Sequence, residues 1–218
     1  PITRSVDATG KPLMAGSFQK AKKRPVRTVM SSAQYQTAVE ILAKKGFRPD
    51  KVSINQSAKG PQFTAIWAPI DGPYEARHNL TEKQFSKLWK DKKAQGYLHT
   101  DLSVYQTASG NRFHSIWVKN TERAYASFYN MTKEVYQKRF DEFWPKGLRP
   151  ISFVAYPSGN GLRYAAIWQK VPGNWAHYFE MSLKGFQKRY NELAKKGMHL
   201  HQVQLYGNGK KVSAIWTK

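Results

Sequence analysis

Three kinds of side chain could do chemistry in this sequence, and each would need a different partner. Cations recur at turn-like segments, as Lys59, Arg112, Arg163, Lys210 and Lys211, and cluster again in the run Lys20-Ala21-Lys22-Lys23-Arg24. Ammonium and guanidinium groups at such tips can hold phosphate, sulfate or carboxylate oxygens. Tyr74, Tyr125 and Trp175 stand in segments that vary, beside Gly72-Pro73 or Gly173-Asn174, and could stack on a sugar or a base. Ser17-Phe18-Gln19-Lys20 has the Ser-x-x-Lys spacing that puts a lysine base one helical turn from a serine nucleophile. That segment has no helical pattern and no Lys-Thr-Gly partner follows it, so the match carries no catalytic weight.

Other chemistries lack their residues. His199 and His201 alternate onto one strand face, which zinc accepts. A structural zinc site needs four converging ligands, and His78, His99, His114 and His177 fall at unrelated places, so no metal site is expected. Asp141-Glu142 reads as part of a solvated helix face, and a chain with 14 acids offers few carboxylate pairs for glycoside hydrolysis. No glycine-rich loop joins a strand to a helix as a phosphate cradle would. Cysteine is absent, which excludes disulfides, thiolate metal sites and cysteine nucleophiles. The expectation is a non-enzyme with no catalytic residue and no cofactor.

Charge names the partner class. Lys plus Arg number 36 against 14 Asp plus Glu, a net +22. Solubility asks for a magnitude of only about 2–8 in a small domain. The excess implies an anionic polymer or surface: acidic glycan, cell-wall polymer or nucleic acid. No apolar run is long enough to span a membrane, and no hydrophobic signal segment stands at the N-terminus. Asn55-Gln56-Ser57, Asn79-Leu80-Thr81 and Asn130-Met131-Thr132 are glycosylation sequons, of use only in a eukaryotic secretory pathway.

The elements that must position these groups are written four times. Phe63-Thr64-Ala65-Ile66-Trp67, Phe113-His114-Ser115-Ile116-Trp117, Tyr164-Ala165-Ala166-Ile167-Trp168 and Val212-Ser213-Ala214-Ile215-Trp216 recur about every 50 residues, as do Gly46, Gly96, Gly147 and Gly197. Ser31, Thr81, Thr132 and Ser182 take the N-cap slot of a helix that ends at the glycine, Ser31 and Thr81 with capping-box spacing to Gln34 and Gln84. Tyr136, Phe140, Phe143 and Trp144 mark its apolar face, matched by Tyr35, Val39, Leu42 and Ala43, and by Phe186, Tyr190, Leu193 and Ala194. In the second copy Lys92 and Lys93 replace the last two apolar residues, so that helix is expected to be short or frayed. After each glycine an alternating strand, a Gly/Asn-rich tip and the returning Ile-Trp strand predict a hairpin. The four tryptophans fit core packing better than ligand stacking.

The fold class is therefore α+β: four tandem repeats, each one helix plus a two- or three-stranded antiparallel sheet, closed into a pseudo-fourfold, propeller-like ring. Residues 1–24 read as a basic flexible arm and 25–218 as the repeat domain, with repeats at about 30–79, 80–130, 131–180 and 181–218. The fourth copy ends after its Ile-Trp strand, and residues 25–30 are expected to supply its missing strand and close the ring.

Gly147-Leu148-Arg149-Pro150-Ile151-Ser152, the Tyr164–Trp168 strand and the Tyr136, Phe140, Asp141, Phe143 helix resemble the bacterial tandem repeat domain over residues 30–218. Similar repeats accompany the serine-hydrolase domain of fungal polyglycine hydrolases. There the catalytic serine lies in a separate β-lactamase-like domain, so the resemblance implies a repeat module, secreted or at the cell envelope, and transfers no catalytic residue. The expected function is non-enzymatic binding of an anionic polymer or surface. An accessory part of, or a stand-alone, serine-hydrolase-like enzyme and a structural subunit of a larger assembly are the other readings.

Overall fold

The computed structural model describes residues 24–119, 124–159 and 161–218, and the backbone of 2–6 and 12–16. Strands β1 (Ile2–Val6) and β2 (Pro12–Gly16) pair antiparallel within the segment read from the sequence as a basic flexible arm. The Ser17–Lys20 motif and Lys20, Lys22 and Lys23 lie outside the described residues.

Four modules follow, each a strand, a helix and a hairpin. Module 1 is β3 (Val26–Met30), α1 (Ser32–Lys44), β4 (Phe47–Ser57) and β5 (Gly60–Pro69). Module 2 is β6 (Tyr74–Leu80), α2 (Glu82–Ala94), β7 (Tyr97–Thr107) and β8 (Gly110–Lys119). Module 3 is β9 (Tyr125–Met131), α3 (Lys133–Phe143), β10 (Leu148–Ser158) and β11 (Gly161–Lys170). Module 4 is β12 (Trp175–Met181), α4 (Leu183–Lys195), β13 (His199–Tyr206) and β14 (Lys211–Thr217). Modules 1 and 2 form one compact unit; modules 3 and 4, with β1 and β2, form another.

Each module has its own three-stranded antiparallel sheet with the Ile-Trp strand in the middle: β3-β5-β4, β6-β8-β7, β9-β11-β10 and β12-β14-β13. A strand flanked on both sides carries the most apolar residues, which is why this segment repeats most faithfully. Trp67, Trp117, Trp168 and Trp216 are at most 1% exposed, so they are core and not stacking platforms. Helix rings pack on the same central strands: Tyr35 stacks on Phe63 at 4.8 Å, Phe85 on Phe113 at 4.7 Å and Tyr136 on Trp168 at 5.7 Å.

Local signals were accurate. Ser31 and Thr81 form capping boxes, Thr132 and Ser182 cap α3 and α4, and the glycines after the helices have φ of 71–79°. The expected fraying of α2 is overturned: it runs 13 residues, as α1 does. Lys92 pairs with Glu75 at 3.0 Å and lies over the Tyr97 ring, and Lys93 lies over Trp89, so the charges find partners while the stems cover apolar surface.

The strand at 25–30 is the larger correction. It does not complete the last repeat: β3 pairs with β5 through Val26↔Ile66, Arg27↔Ala65 and Met30↔Phe63, in its own module. The linker between strand and helix is a single N-cap residue, too short to send the strand elsewhere. With β3 held in its own module, the strand exchange expected to close a ring does not form. Every sheet is separate and open among the described residues.

Each outer strand bulges just before its helix, where Val29, Asn79, Asn130 and Glu180 adopt φ of 55–58°. Non-glycine residues avoid this region, and a β-branched one most of all. Its recurrence at one slot makes it part of the fold. In modules 3 and 4 a tyrosine fixes it: the backbone N–H of Asn130 donates to the Tyr156 hydroxyl at 3.0 Å, and that of Glu180 to Tyr206 at 2.7 Å.

Candidate functional site

The tip cations sit where the sequence put them, but not all are free. Lys59 and Lys210 are exposed. Arg112 folds back on its own hairpin, donating to Ser109 Oγ at 2.7 Å and Asn111 O at 3.1 Å. Arg163 donates to Leu162 O at 3.1 Å, Lys211 reaches Glu180 at 2.8 Å, and Arg24 pairs with Asp50 at 2.7 Å. The aromatic candidates Tyr74, Tyr125 and Trp175 are half-buried at the start of the outer strands. They pair with Val118, Gln169 and Thr217, near the end of each central strand far from the hairpin tip. The hairpin-tip cations and the rings therefore lie at opposite ends of their sheets and do not converge on one ligand.

Tips do come together in pairs. Inside each unit the first hairpin strands of the two modules, β4 and β7 or β10 and β13, run alongside each other in the same direction. The Val52 N–H donates to Asp101 Oδ2 at 2.9 Å, Ser103 Oγ to Val52 O at 2.5 Å, and Lys51 Nζ to Thr100 O at 3.0 Å. In the other unit Phe153 N–H donates to Gln202 Oε1 at 2.9 Å and Ala155 N–H to Gln204 Oε1 at 2.8 Å, while both amide nitrogens return bonds to the carbonyls of Phe153 and Ala155 at 2.9 Å. Side chains thus satisfy an edge strand that would otherwise template pairing with another chain. The parallel run places Lys59 and Arg112 at one end of their unit, and Arg163, Lys210 and Lys211 at one end of theirs.

The strongest polar chemistry is at these module junctions, and sequence reasoning missed it. Tyr35 Oη lies 3.0 Å from His114 Nε2, and Tyr136 Oη lies 2.8 Å from His177 Nδ1, whose other nitrogen lies 3.1 Å from Ser213 Oγ. Burial pushes His114 and His177 down to about 3, so both stay neutral, and pushes the tyrosines up. One signal was available. The fourth helical position is Tyr35 and Tyr136 in modules 1 and 3 but Phe85 and Phe186 in modules 2 and 4, so only odd modules carry a hydroxyl that needs a partner.

Glu180 gathers the main charged cluster of module 4's outer strand, with Lys211 at 2.8 Å, Lys133 at 3.2 Å and the Tyr164 hydroxyl at 2.5 Å. Partial burial would raise its pKa, but these donors outweigh that and hold it at about 2. His99 lies flat on Trp117, ring centroids 4.0 Å apart, and His201 reaches Ile151 O at 3.2 Å and meets the Trp175 ring edge-on. Among the described residues no group of three or more His, Asp or Glu could hold a metal ion. No helix there is long and apolar enough to cross a membrane.

No curated protein matches the chain in sequence. A family model described as "Polyglycine hydrolase-like, structural repeat" matches it four times, at residues 26–70, 71–120, 122–171 and 172–218. Each match holds one strand–helix–hairpin module, so the chain belongs to the polyglycine hydrolase-like structural repeat family.

Proposed function

We propose that the chain is a non-enzymatic module that binds an anionic polymer or surface, such as an acidic glycan, a cell-wall polymer or a nucleic acid. The supporting observation is on the helices. Lys184, Lys188 and Lys195 share one face of α4 by their spacing, are exposed, and form no ion pair among the described residues. Lys83 and Lys90 share an exposed face of α2 in the same way, where Lys87 between them is neutralised by Asp91 at 2.7 Å. Exposed, unpaired ammonium groups on a +22 chain set up a field that attracts polyanions. The same reading puts the chain outside the cytoplasm, secreted or at the cell envelope, where acidic glycans and wall polymers lie. Retention on immobilised heparin or nucleic acid, eluted over a salt gradient, tests it: strong retention that falls steeply with salt is expected. Passage through the column at low salt would end the proposal.

A second reading, a serine-dependent hydrolase, has one observation in its favour. Ser32 Oγ lies 3.0 Å from His78 Nε2, both are half-buried, and burial lowers the pKa of His78, so a neutral base faces a hydroxyl. Among the described residues no carboxylate is bonded to the other ring nitrogen to orient it. Labelling of the folded chain by a serine-directed phosphonate, lost in Ser32→Ala, would bring this reading forward.

A further inference from the structure

One docking geometry is used twice in this chain. In the first unit Ser32, at the first position of α1, meets His78 of β6. Tyr35, at the fourth, meets the same ring edge-on at 5.3 Å, and Ala76 of β6 packs against the core around Tyr35. In the second unit Lys133, at the first position of α3, pairs with Glu180 of β12 at 3.2 Å. Tyr136, at the fourth, bonds His177, and Phe140, at the eighth, meets the His177 ring at 6.0 Å. Helix positions one and four of one module thus seat on the outer strand of the next, joined in the second unit by position eight.

The same slots recur on α4 and on β3, where they hold exposed apolar residues. On α4 they are Leu183, Phe186 and Tyr190, with Leu183 53% and Tyr190 41% exposed. On β3, Val26 holds the slot of Ala76 and His177, and Val29 that of Asn79 and Glu180; they are 43% and 42% exposed. Isolated exposed apolar residues need no explanation. Here all four coincide with docking slots, and the two faces match in type. Leu183 replaces Lys133 and Val29 replaces Glu180, so the internal ion pair becomes an apolar pair with both halves changed. Phe186 replaces a tyrosine, and Val26 replaces the histidine that bonds one.

We propose that copies of this chain associate head to tail, α4 of one copy seating on β3 of the next as α3 seats on β12. A contact between two different faces of the same chain extends or closes into a ring of copies. Lys184 and Lys188 flank the α4 face and Arg27 lies on β3, like charges that oppose the contact at low ionic strength. Self-association therefore strengthens with salt, whereas polyanion binding weakens, and the two are separable in one titration.

Sedimentation or light scattering of the chain over a wide range of concentration, at low and high salt, tests the proposal. The mass-average is expected to rise above the monomer with concentration, more steeply at high salt. Leu183→Lys and Val29→Glu should each abolish the rise, and mixing the two variants should restore it by re-creating the Lys133–Glu180 pair between copies. Both variants keep a residue type already borne at that slot in this chain, so loss of folding is not the expected cause of failure. A monomer at every concentration and salt overturns the proposal, as does association that ignores Leu183→Lys.

Discussion

The hydroxyl of Tyr136 lies 2.8 Å from Nδ1 of His177, and these residues belong to different modules. Tyr35 and His114 make the equivalent bond at 3.0 Å, with the imidazole supplied by a central strand rather than an outer one. A buried hydroxyl must find a partner, and two different strands have met the same demand. The bond ties the first helix of each unit to the sheet of the second.

Removing that hydroxyl should loosen the unit without disturbing packing. Tyr136→Phe keeps the ring, as Phe186 does at the same slot, but leaves His177 Nδ1 buried with no partner. A loss of about 1–3 kcal/mol in urea unfolding is expected. Phe186→Tyr, in module 4, should bring no comparable gain.

Acid should unfold the protein early. His99, His114 and His177 have folded pKa values of about 3, below the unfolded 6.5. The unfolded chain therefore binds more protons as pH falls through 6.5, and stability is lost on the way down to about 3. Each histidine costs about 1.4 kcal/mol of stability per pH unit within that window, about 4 kcal/mol per pH unit for the three together. Glu180, held at about 2, adds a further loss below the unfolded carboxylate range, while Asp101, raised by burial, acts in the opposite sense. Thermal melts from pH 7 to 4 should show a steep fall in Tm, reduced in His177→Ala.

Three tryptophans offer a gain. Trp117 Nε1 donates to Ser115 Oγ at 3.1 Å, whereas Trp67, Trp168 and Trp216 have buried Nε1 atoms with no partner. Ala65, Ala166 and Ala214 occupy the serine's place. Ala166→Ser should stabilise the second unit by about 1 kcal/mol, read by denaturant midpoint. Ser115→Ala should cost a similar amount.

The edge-covering glutamines should show in hydrogen exchange. Gln202→Ala removes both bonds to Phe153, exposing a strand edge, and is expected to cost about 1–3 kcal/mol and speed exchange of the Phe153 amide. Gln202→Glu should be worse than its size suggests, since it keeps the acceptor but deletes the donor and adds a charge.

For polyanion binding, the α4 lysines should count individually. Replacing Lys184, Lys188 and Lys195 by alanine should lower the salt dependence of nucleic acid binding by about 0.7–0.9 for each phosphate left without its ammonium partner. The far-ultraviolet circular dichroism should stay unchanged, because all three are exposed.

The repeat, the caps, the hairpins and the buried tryptophans were all legible in the order of the residues. Those features are local: a glycine with φ near 75° after each helix, a hydroxyl at each N-cap, and an apolar strand read at period two. Whatever depends on partners far along the chain was settled only by folding. Lys92 does not fray α2, because Glu75 lies beside it on β6, and β3 stays in its own module, because β5 is there to receive it. The junctions follow the same rule. Whether His177 or His114 meets a tyrosine depends on how one module's helix lies on the next module's sheet, a geometry that no spacing within a single repeat encodes.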